Sequence, residues 1–316
     1  MQDEIYKLPK EFLHRIKALY PHNYNEIVHT FLKKKLLAFR VNYSKASLVE
    51  IRKKAANAHL KIKELKFPKG TFLLNSDLRQ LQKTKMYDDG EIFVQNISSM
   101  LVPIVLSPVP GDKILDLCAA PGAKTTQILS IAENIDLTAI EKSRTRYYKL
   151  LANLKNQGFE NKATVLIMDG IWVRKKFPEE FDKILLDAPC SAEGLFYILN
   201  PKSYGYWKLN KIKEAVSKQK QLLNAAFYAL KEGGELVYST CTFAPEENEA
   251  MVDWFLKKYK DKIELLPVEL ELDNACSGIK HWKGNRFRFN VQYVKRIIPD
   301  KYFEAFFIAK FKKIAA

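Results

Sequence analysis

The 316-residue sequence has only four cysteines, Cys118, Cys190, Cys241 and Cys276, and they are far apart. No CxxC pair suggests zinc, so no metal is expected, and the spacing offers no disulfide framework. No apolar run approaches the roughly eighteen residues that cross a bilayer. The opening stretch, MQDEIYKLPK, lacks the apolar segment of a secretory signal. These absences predict a cytoplasmic chain with reduced thiols and no membrane partner. There is also no internal repeat and no low-complexity tract. Acidic charge is scarce: 36 Asp and Glu face 52 Lys and Arg, a formal net charge of +16.

What is present begins with that excess of positive charge, which favours a polyanionic partner because each neutralised phosphate releases condensed counterions. The excess is uneven. Residues 1–90 hold 19 Lys and Arg against 9 Asp and Glu, a net of +10. A compositional bias would spread more evenly, so the pattern predicts a basic N-terminal module facing nucleic acid. Its segments alternate in type. LPKEFLHRIKALY carries Phe12, Ile16, Leu19 and Tyr20 at helical spacing. NEIVHTFLKKKLLAFRVN reads as a helix running into a strand at Ala38 to Asn42. SLVEIRKKAANAHL turns Leu48, Ile51, Ala55 and either His59 or Leu60 inward, and GTFLLN is a strand. A small α+β RNA-binding module over 1–90 is expected, with a second domain over 91–316.

From Gly111 the pattern becomes regular. DKILDLC, IDLTAIE, ATVLIMD, FDKILLDAP and GELVYSTC are short apolar strands, separated by helical stretches. Strands apolar on both faces and alternating with helices predict an α/β, doubly wound, Rossmann-like parallel sheet covered on both faces. Its ligands belong at the C-terminal strand ends. A late stretch, YFEAFFIAKFKK, reads as a further strand expected at the sheet edge.

The loop LDLCAAPGAKT follows the first of these strands, with Asp116 near the strand end and small residues at Ala119, Ala120, Gly122 and Ala123. Small residues let backbone N–H groups approach a ligand at the next helix N-terminus. Two glycines of GxGxxG are missing, replaced by Cys118 and Ala120, which disfavours a dinucleotide pyrophosphate. Glu141 ends the second strand and is placed to accept hydrogen bonds from ribose hydroxyls, while Asp169 ends the third, placed for an adenine amino group. Acids at successive strand tips suit a nucleoside without phosphates, and S-adenosylmethionine fits better than NAD.

DLCAAPGAKT, DAPCS and YSTCTFAPEENE, in that order, resemble the Fmu/Sun family of RNA (cytosine-5)-methyltransferases. FRVN, VQNISSM and RIIPDKYFEAFFIAKFKK are similar to further segments of that family, so the likeness covers about residues 38–42 and 91–316. The resemblance implies a methyltransferase domain that binds S-adenosyl-L-methionine and acts on RNA, either rRNA or tRNA. It implies that Cys118, Ala119, Ala120, Pro121, Gly122, Ala123 and Lys124 hold the methionine and ribose region. Glu141 would bind the ribose, Arg146 would match an arginine of the second motif, and Asp169 would bind the adenine. Asp187 would lie between cofactor and target base. Cys241 matches the nucleophile and Cys190 the helper cysteine.

The chemistry explains why two cysteines are useful. Cytosine C5 attacks a methyl sulfonium poorly until a thiolate adds at C6 and makes C5 enamine-like. The C5 proton must afterwards leave and the thiolate be expelled, a step a second group can assist. Asp187 is the candidate to protonate, or hydrogen-bond to, N3 of the base. Residue physics alone does not say which thiol attacks; that assignment rests on the resemblance. Lys124 is either catalytic support or a positive group opening a helix. Glu246, Glu247 and Asn248 after Pro245 read as first-turn residues favoured by the helix dipole.

The sequence departs from the family's pattern at Ala123, Ala192, Asp300 and Ala305, and the second of these predicts a loop of altered shape at the base pocket. KHWKGNRFRFNVQYVKR (280–296) has six Lys or Arg and interleaved Trp282, Phe287, Phe289 and Tyr293. It suits single-stranded RNA, or equally a hairpin with its aromatics in the core. YGYW at Tyr204 to Trp207 is ambiguous in the same way. A monomeric enzyme is the expectation; the competing reading is a non-catalytic RNA-binding assembly factor that retains the fold.

Overall fold

The computed structural model describes residue 5 and residues 7–314. Early in the described residues lie helices α1 (Lys10–Leu19) and α2 (Tyr24–Thr30). Phe12 and Ile16, one helical turn apart, are fully buried, as are Ile27, Val28 and Phe31. They pack onto Phe196, Trp207 and Phe243, far along the chain. Helices α1 and α2 are therefore built into the large domain, so the described residues up to 90 do not pack as one body.

The small module follows: β1 (Leu37–Val41), α3 (Leu48–Asn57), β2 (Ile62–Glu64), β3 (Thr71–Leu74), α4 (Leu78–Gln82), α5 (Lys85–Asp88) and β4 (Ile92–Val94). The strands form an antiparallel sheet in the order β2-β3-β1-β4. Ser47 and Glu50 close a capping box at the start of α3. Ile51 and Ala55 face the sheet residues Phe39, Phe72 and Leu74, and Leu60, not His59, turns inward. The division expected near residue 90 falls before β4. That strand pairs with Phe39–Val41 of β1, so the module's sheet ends only at Val94.

The large domain contains α6 (Ile97–Leu106), β5 (Lys113–Asp116), α7 (Ala123–Ile131), β6 (Asp136–Glu141), α8 (Arg144–Asn156), β7 (Ala163–Ile167), α9 (Val173–Lys176), β8 (Phe181–Asp187), α10 (Leu209–Ala229), β9 (Leu230–Thr240) and α11 (Glu249–Lys258). It ends with β10 (Ile263–Leu266), β11 (Ala275–Ser277), a hairpin of β12 (His281–Trp282) and β13 (Asn285–Arg286), β14 (Lys295–Ile297) and β15 (Phe306–Lys313). The main sheet runs β11-β14-β15-β9-β8-β5-β6-β7, with β10 also paired to β15. Strands β5 to β9 are mutually parallel. One face packs on α10 and α11 through Leu222, Phe227, Met251 and Phe255. The other packs on α6, α7 and α8 through Met100, Ile128, Leu150 and Leu154. The fold is the expected doubly wound α/β sheet. Winding runs from β5 through β6 to β7 on one side and through β8 to β9 on the other, leaving a crevice at the C-terminal ends of β5 and β8.

One strand is placed differently from expectation. β15 is interior: it pairs antiparallel with β9 on one side and with β14 and β10 on the other. Phe306, Phe307, Ile308, Ala309 and Phe311 are all buried. A strand apolar on both faces gains more in the middle of a sheet than at its edge.

Candidate active site

Asp187 ends β8, and Cys190 lies three residues beyond it. Cys241 directly follows β9, the parallel neighbour, whose Ser239 is in register with Asp187. The two strand ends bring the Cys190 and Cys241 sulfurs to 3.3 Å, both half-buried. The Asp187 carboxylate is held on both oxygens, by Lys124 Nζ at 2.6 Å and by Ser239 Oγ at 2.8 Å. Lys124 also donates to Ser99 Oγ at 2.7 Å. Lys124 thus reaches from the first turn of α7 across the crevice to the acid beside the thiols. The Cys190 thiol beside it, burial and the nearby charge of Asp187 push the Cys241 thiol well above the ordinary range. Burial likewise raises Cys118 and Cys276.

Buried carboxyls hold the two cysteine-bearing loops together. Glu247 accepts from Ser191 N at 3.0 Å and Gln219 Nε2 at 2.9 Å, and it also bonds the Ser191 hydroxyl. Glu193 accepts from Thr242 Oγ1 at 2.9 Å, Phe243 N at 3.1 Å and Trp207 Nε1 at 3.0 Å. Burial raises both acids, Glu247 to about 8. Glu247 is thus no exposed first-turn residue: it is fully buried and precedes α11, which starts at Glu249. Glu246 pairs with Arg15 of α1 and accepts from Trp282 Nε1. Asn248 bonds Thr240 Oγ1 and the Thr242 carbonyl. Ala192 adopts a left-handed φ of 57°, a conformation that favours glycine. A non-glycine residue therefore holds a backbone conformation that glycine adopts more readily. Gly194 is required as glycine, since a Cβ there would lie 2.5 Å from the Ala305 carbonyl oxygen.

The candidate cofactor residues gather on the other side of the crevice. A cavity of about 140 Å³ is lined by Cys118, Glu141, Arg146, Asp169, Lys218 and Leu222, among others. Ala119 and Ala120 are buried beneath the loop, and Gly122 takes a φ of 104° as it turns into α7. Pro121 presents its carbonyl to Asn153 of α8. Arg146 pairs with Glu141 at 3.3 Å and binds the Ala120 carbonyl, bracing the loop. The Asp169 carboxyl accepts from Ile171 N. Asp116 is fully buried; Oδ2 accepts from Thr125 Oγ1, while Oδ1 has no partner. Burial pushes this acid up to about 6. An orphaned carboxyl oxygen under a loop of small residues fits a ligand with an ammonium group, such as the amino acid end of S-adenosylmethionine.

The structure also brings in residues that the motifs did not assign. Ser99, Ser239 and Ser191 lie inside segments the sequence marks, but their roles depend on contacts between strands. Arg40, within FRVN, is buried and reaches Gln95 Oε1, Thr126 Oγ1 and the Ala123 carbonyl, so the small module touches α7 just beyond the cofactor loop. Of the aromatics at 280–296, Phe287 is buried and Phe289 packs on the core, whereas Tyr293 is exposed. Tyr204 and Trp207 are buried, Tyr206 exposed. Among the described residues no cluster of three or more His, Cys, Asp or Glu is able to hold a metal ion. None of their helices is long and apolar enough to cross a membrane.

Comparisons with known proteins agree with this geometry. A tRNA (cytosine(49)-C(5))-methyltransferase of Pyrococcus abyssi is 35% identical over 99% of this chain and 98% of its own length. The ribosomal RNA small subunit methyltransferase F of Vibrio cholerae is 34% identical over 88% of this chain; the match spans 58% of that longer protein. A crystal structure of a methyltransferase homologue from Pyrococcus horikoshii superposes with a TM-score of 0.85 at 29% identity, covering 99% of this chain and 98% of that one. Residues 103–312 match the family described as 16S rRNA methyltransferase RsmB/F. With two thirds of its length matched to that family and a full-length relative at 35% identity, the chain belongs to the RsmB/F family of RNA methyltransferases.

Proposed function

We propose that this protein methylates C5 of a cytosine in RNA, either tRNA or rRNA, with S-adenosylmethionine as donor and Cys241 as nucleophile. The observation that carries the reading is the pair of thiols 3.3 Å apart beside the Lys124–Asp187 ion pair. A non-catalytic assembly factor has no need of two thiols beside a half-buried acid. The cofactor would lie on the loop Cys118–Lys124, with Glu141 and Arg146 toward the ribose, Asp169 toward the adenine and Asp116 toward the ammonium. When bound, it supplies the electrophilic methyl group.

The chain's own residues do the rest. Cys241 gives up its proton to solvent and adds to C6 as the thiolate. Electron density moves to C5 as N3 takes a proton from the Lys124–Asp187 pair. A positioned acid of this kind contributes about 10²–10⁴-fold. After methylation the C5 proton passes to solvent, the C6–S bond breaks with its electron pair leaving on Cys241 as thiolate, and the N3 proton returns to the Lys124–Asp187 pair. Cys190, in hydrogen-bond contact with that sulfur, assists the release. The basic module and α1 face the RNA.

The test is covalent trapping. Cys190→Ala protein with S-adenosylmethionine and unmodified cellular RNA is run on a denaturing gel. A protein–RNA band is expected, and it should vanish in the Cys190→Ala/Cys241→Ala protein. A band from Cys241→Ala instead would reverse the roles. No band from either variant, with no labelled methyl transfer by wild type, would overturn the activity.

A further inference from the structure

A second cleft, of about 320 Å³, opens next to the thiol pair, and nothing above gives it an occupant. One wall is the segment Lys33 to Ala38, which carries the chain from α2 into β1; the other is the loop Gly194 to Tyr197. Gly194 donates its N–H to the Cys241 carbonyl at 2.9 Å, so the wall of the cleft is bonded to the candidate nucleophile's own backbone. Gln95, Asn96 and Glu304 also line it. The size is at the lower end of the range of small-ligand pockets, about 300–1,000 Å³.

Three kinds of group meet there. Lys33 and Lys34 are exposed at the rim, while Lys35 is held by the Asp300 carbonyl. Leu37, Val94, Leu195 and Phe196 give apolar surface, with Leu195 45% exposed. Glu304 is the single acid of the cleft. Burial pushes its carboxyl up to about 7, against Lys35, Asn96 and Lys124, which pull it down. A bare phosphate site would not place a carboxyl among its lysines. Cations at the rim, an apolar wall and one half-buried acceptor together match a nucleotide: a phosphate, the face of a base, and an N–H or O–H donor.

We propose that this cleft seats the nucleotide next to the target cytosine in the RNA strand. Its phosphate lies against Lys33 and Lys34, and Glu304 accepts a hydrogen bond from its base amino group or its ribose 2′-hydroxyl. The inference rests on the RNA-methyltransferase reading and extends it from the reacting base to its neighbour. The strand then passes between the small module and the large domain, where the segment 33–38 joins them.

The experiment uses the RNA trapped above, transcribed with each of the four nucleotides on either side of the modified cytosine, and with 2′-deoxy sugars at those positions. Single-turnover methylation is compared for wild type, Glu304→Gln and Lys33→Ala/Lys34→Ala, with melting temperature and S-adenosylmethionine binding as folding controls. Wild type should prefer particular bases, or demand the 2′-hydroxyl, at one flanking position by about tenfold, the scale of one hydrogen bond to a charged group. Glu304→Gln should lose that one preference. A lost base preference assigns the donor to the base, and a lost 2′-hydroxyl demand assigns it to the ribose. The lysine variant should weaken RNA binding alike for every flanking sequence. Unchanged preferences in Glu304→Gln, or unchanged RNA affinity in the lysine variant, would overturn the proposal. Failure to trap any RNA would fall instead on the activity itself.

Discussion

At the scale of single residues, Glu247 shows how a group far from any substrate can shape a site. It ties the Cys190 loop to α10 through Ser191 and Gln219. Its folded value of about 8 lies above the ordinary 4.5. Between those two values the folded state holds a proton that the unfolded chain has lost. Stability therefore falls as pH rises from about 4.5 to about 8, then levels off. Glu247→Gln keeps the neutral shape and cannot ionise. Melting temperatures measured from pH 5 to 8 should fall less steeply for this variant than for wild type. Equal slopes would show that Glu247 does not carry the dependence. This role was hidden in the sequence, where Glu247 resembles any acid after a proline. The partners that bury it, Ser191 and Gln219, are 56 and 28 residues away. By contrast the placement of Asp187, Cys190 and Cys241 at neighbouring strand ends was legible, because it depends on local order along the chain, whereas the reach of Lys124 to Asp187 was not.

Among elements, α1 is the surprise. The apolar spacing of Phe12 and Ile16 announced a helix with one buried face, yet spacing cannot name the partner. The face packs on the loops that follow β8 and β9. Phe12 has its ring centre 4.8 Å from Phe196, 5.8 Å from Trp207 and 6.2 Å from Phe243, the last only two residues past Cys241. Arg15 on the same helix pairs with Glu246 and covers the Trp282 ring. Phe12→Ala should cost about 3–5 kcal/mol of stability. It should also lower the methylation rate at temperatures where the protein stays folded. Denaturant unfolding and single-turnover rates on the same samples check both; a stability loss with an unchanged rate would mean that α1 does not help position the Cys241 loop. β15 teaches the same lesson. Its apolar residues marked a strand, but only long-range pairing with β9, β14 and β10 decided that it lies inside the sheet.

Across the whole molecule, charge and architecture point the same way. The five-stranded parallel core was legible because each βαβ step is local and its handedness is nearly invariant. The boundary between module and core was less so, since β4 and the first two helices choose their partners across the chain. A net charge of +16 on 316 residues predicts RNA binding governed by counterion release. The logarithm of the association constant for unmodified cellular RNA should fall linearly with the logarithm of salt concentration. For about six phosphate contacts, affinity should drop about 10³-fold between 50 and 200 mM salt. Filter binding across that range measures the slope, and a flat response would remove the backbone-neutralising role of the basic surface.

The sulfur–sulfur separation of 3.3 Å has a consequence for handling and for life in an oxidant. A disulfide needs about 2.05 Å between sulfurs, a displacement of little more than 1 Å. Given a peroxide, the pair is set to lose two hydrogens and join, with two molecules of water as the by-product. Both thiols would be consumed in one bond, and the enzyme would fall silent without unfolding. Peroxide-treated protein should show two fewer titratable thiols and no methylation, and a dithiol reductant should restore both. Thiol counts that hold steady while activity is lost would point to damage elsewhere.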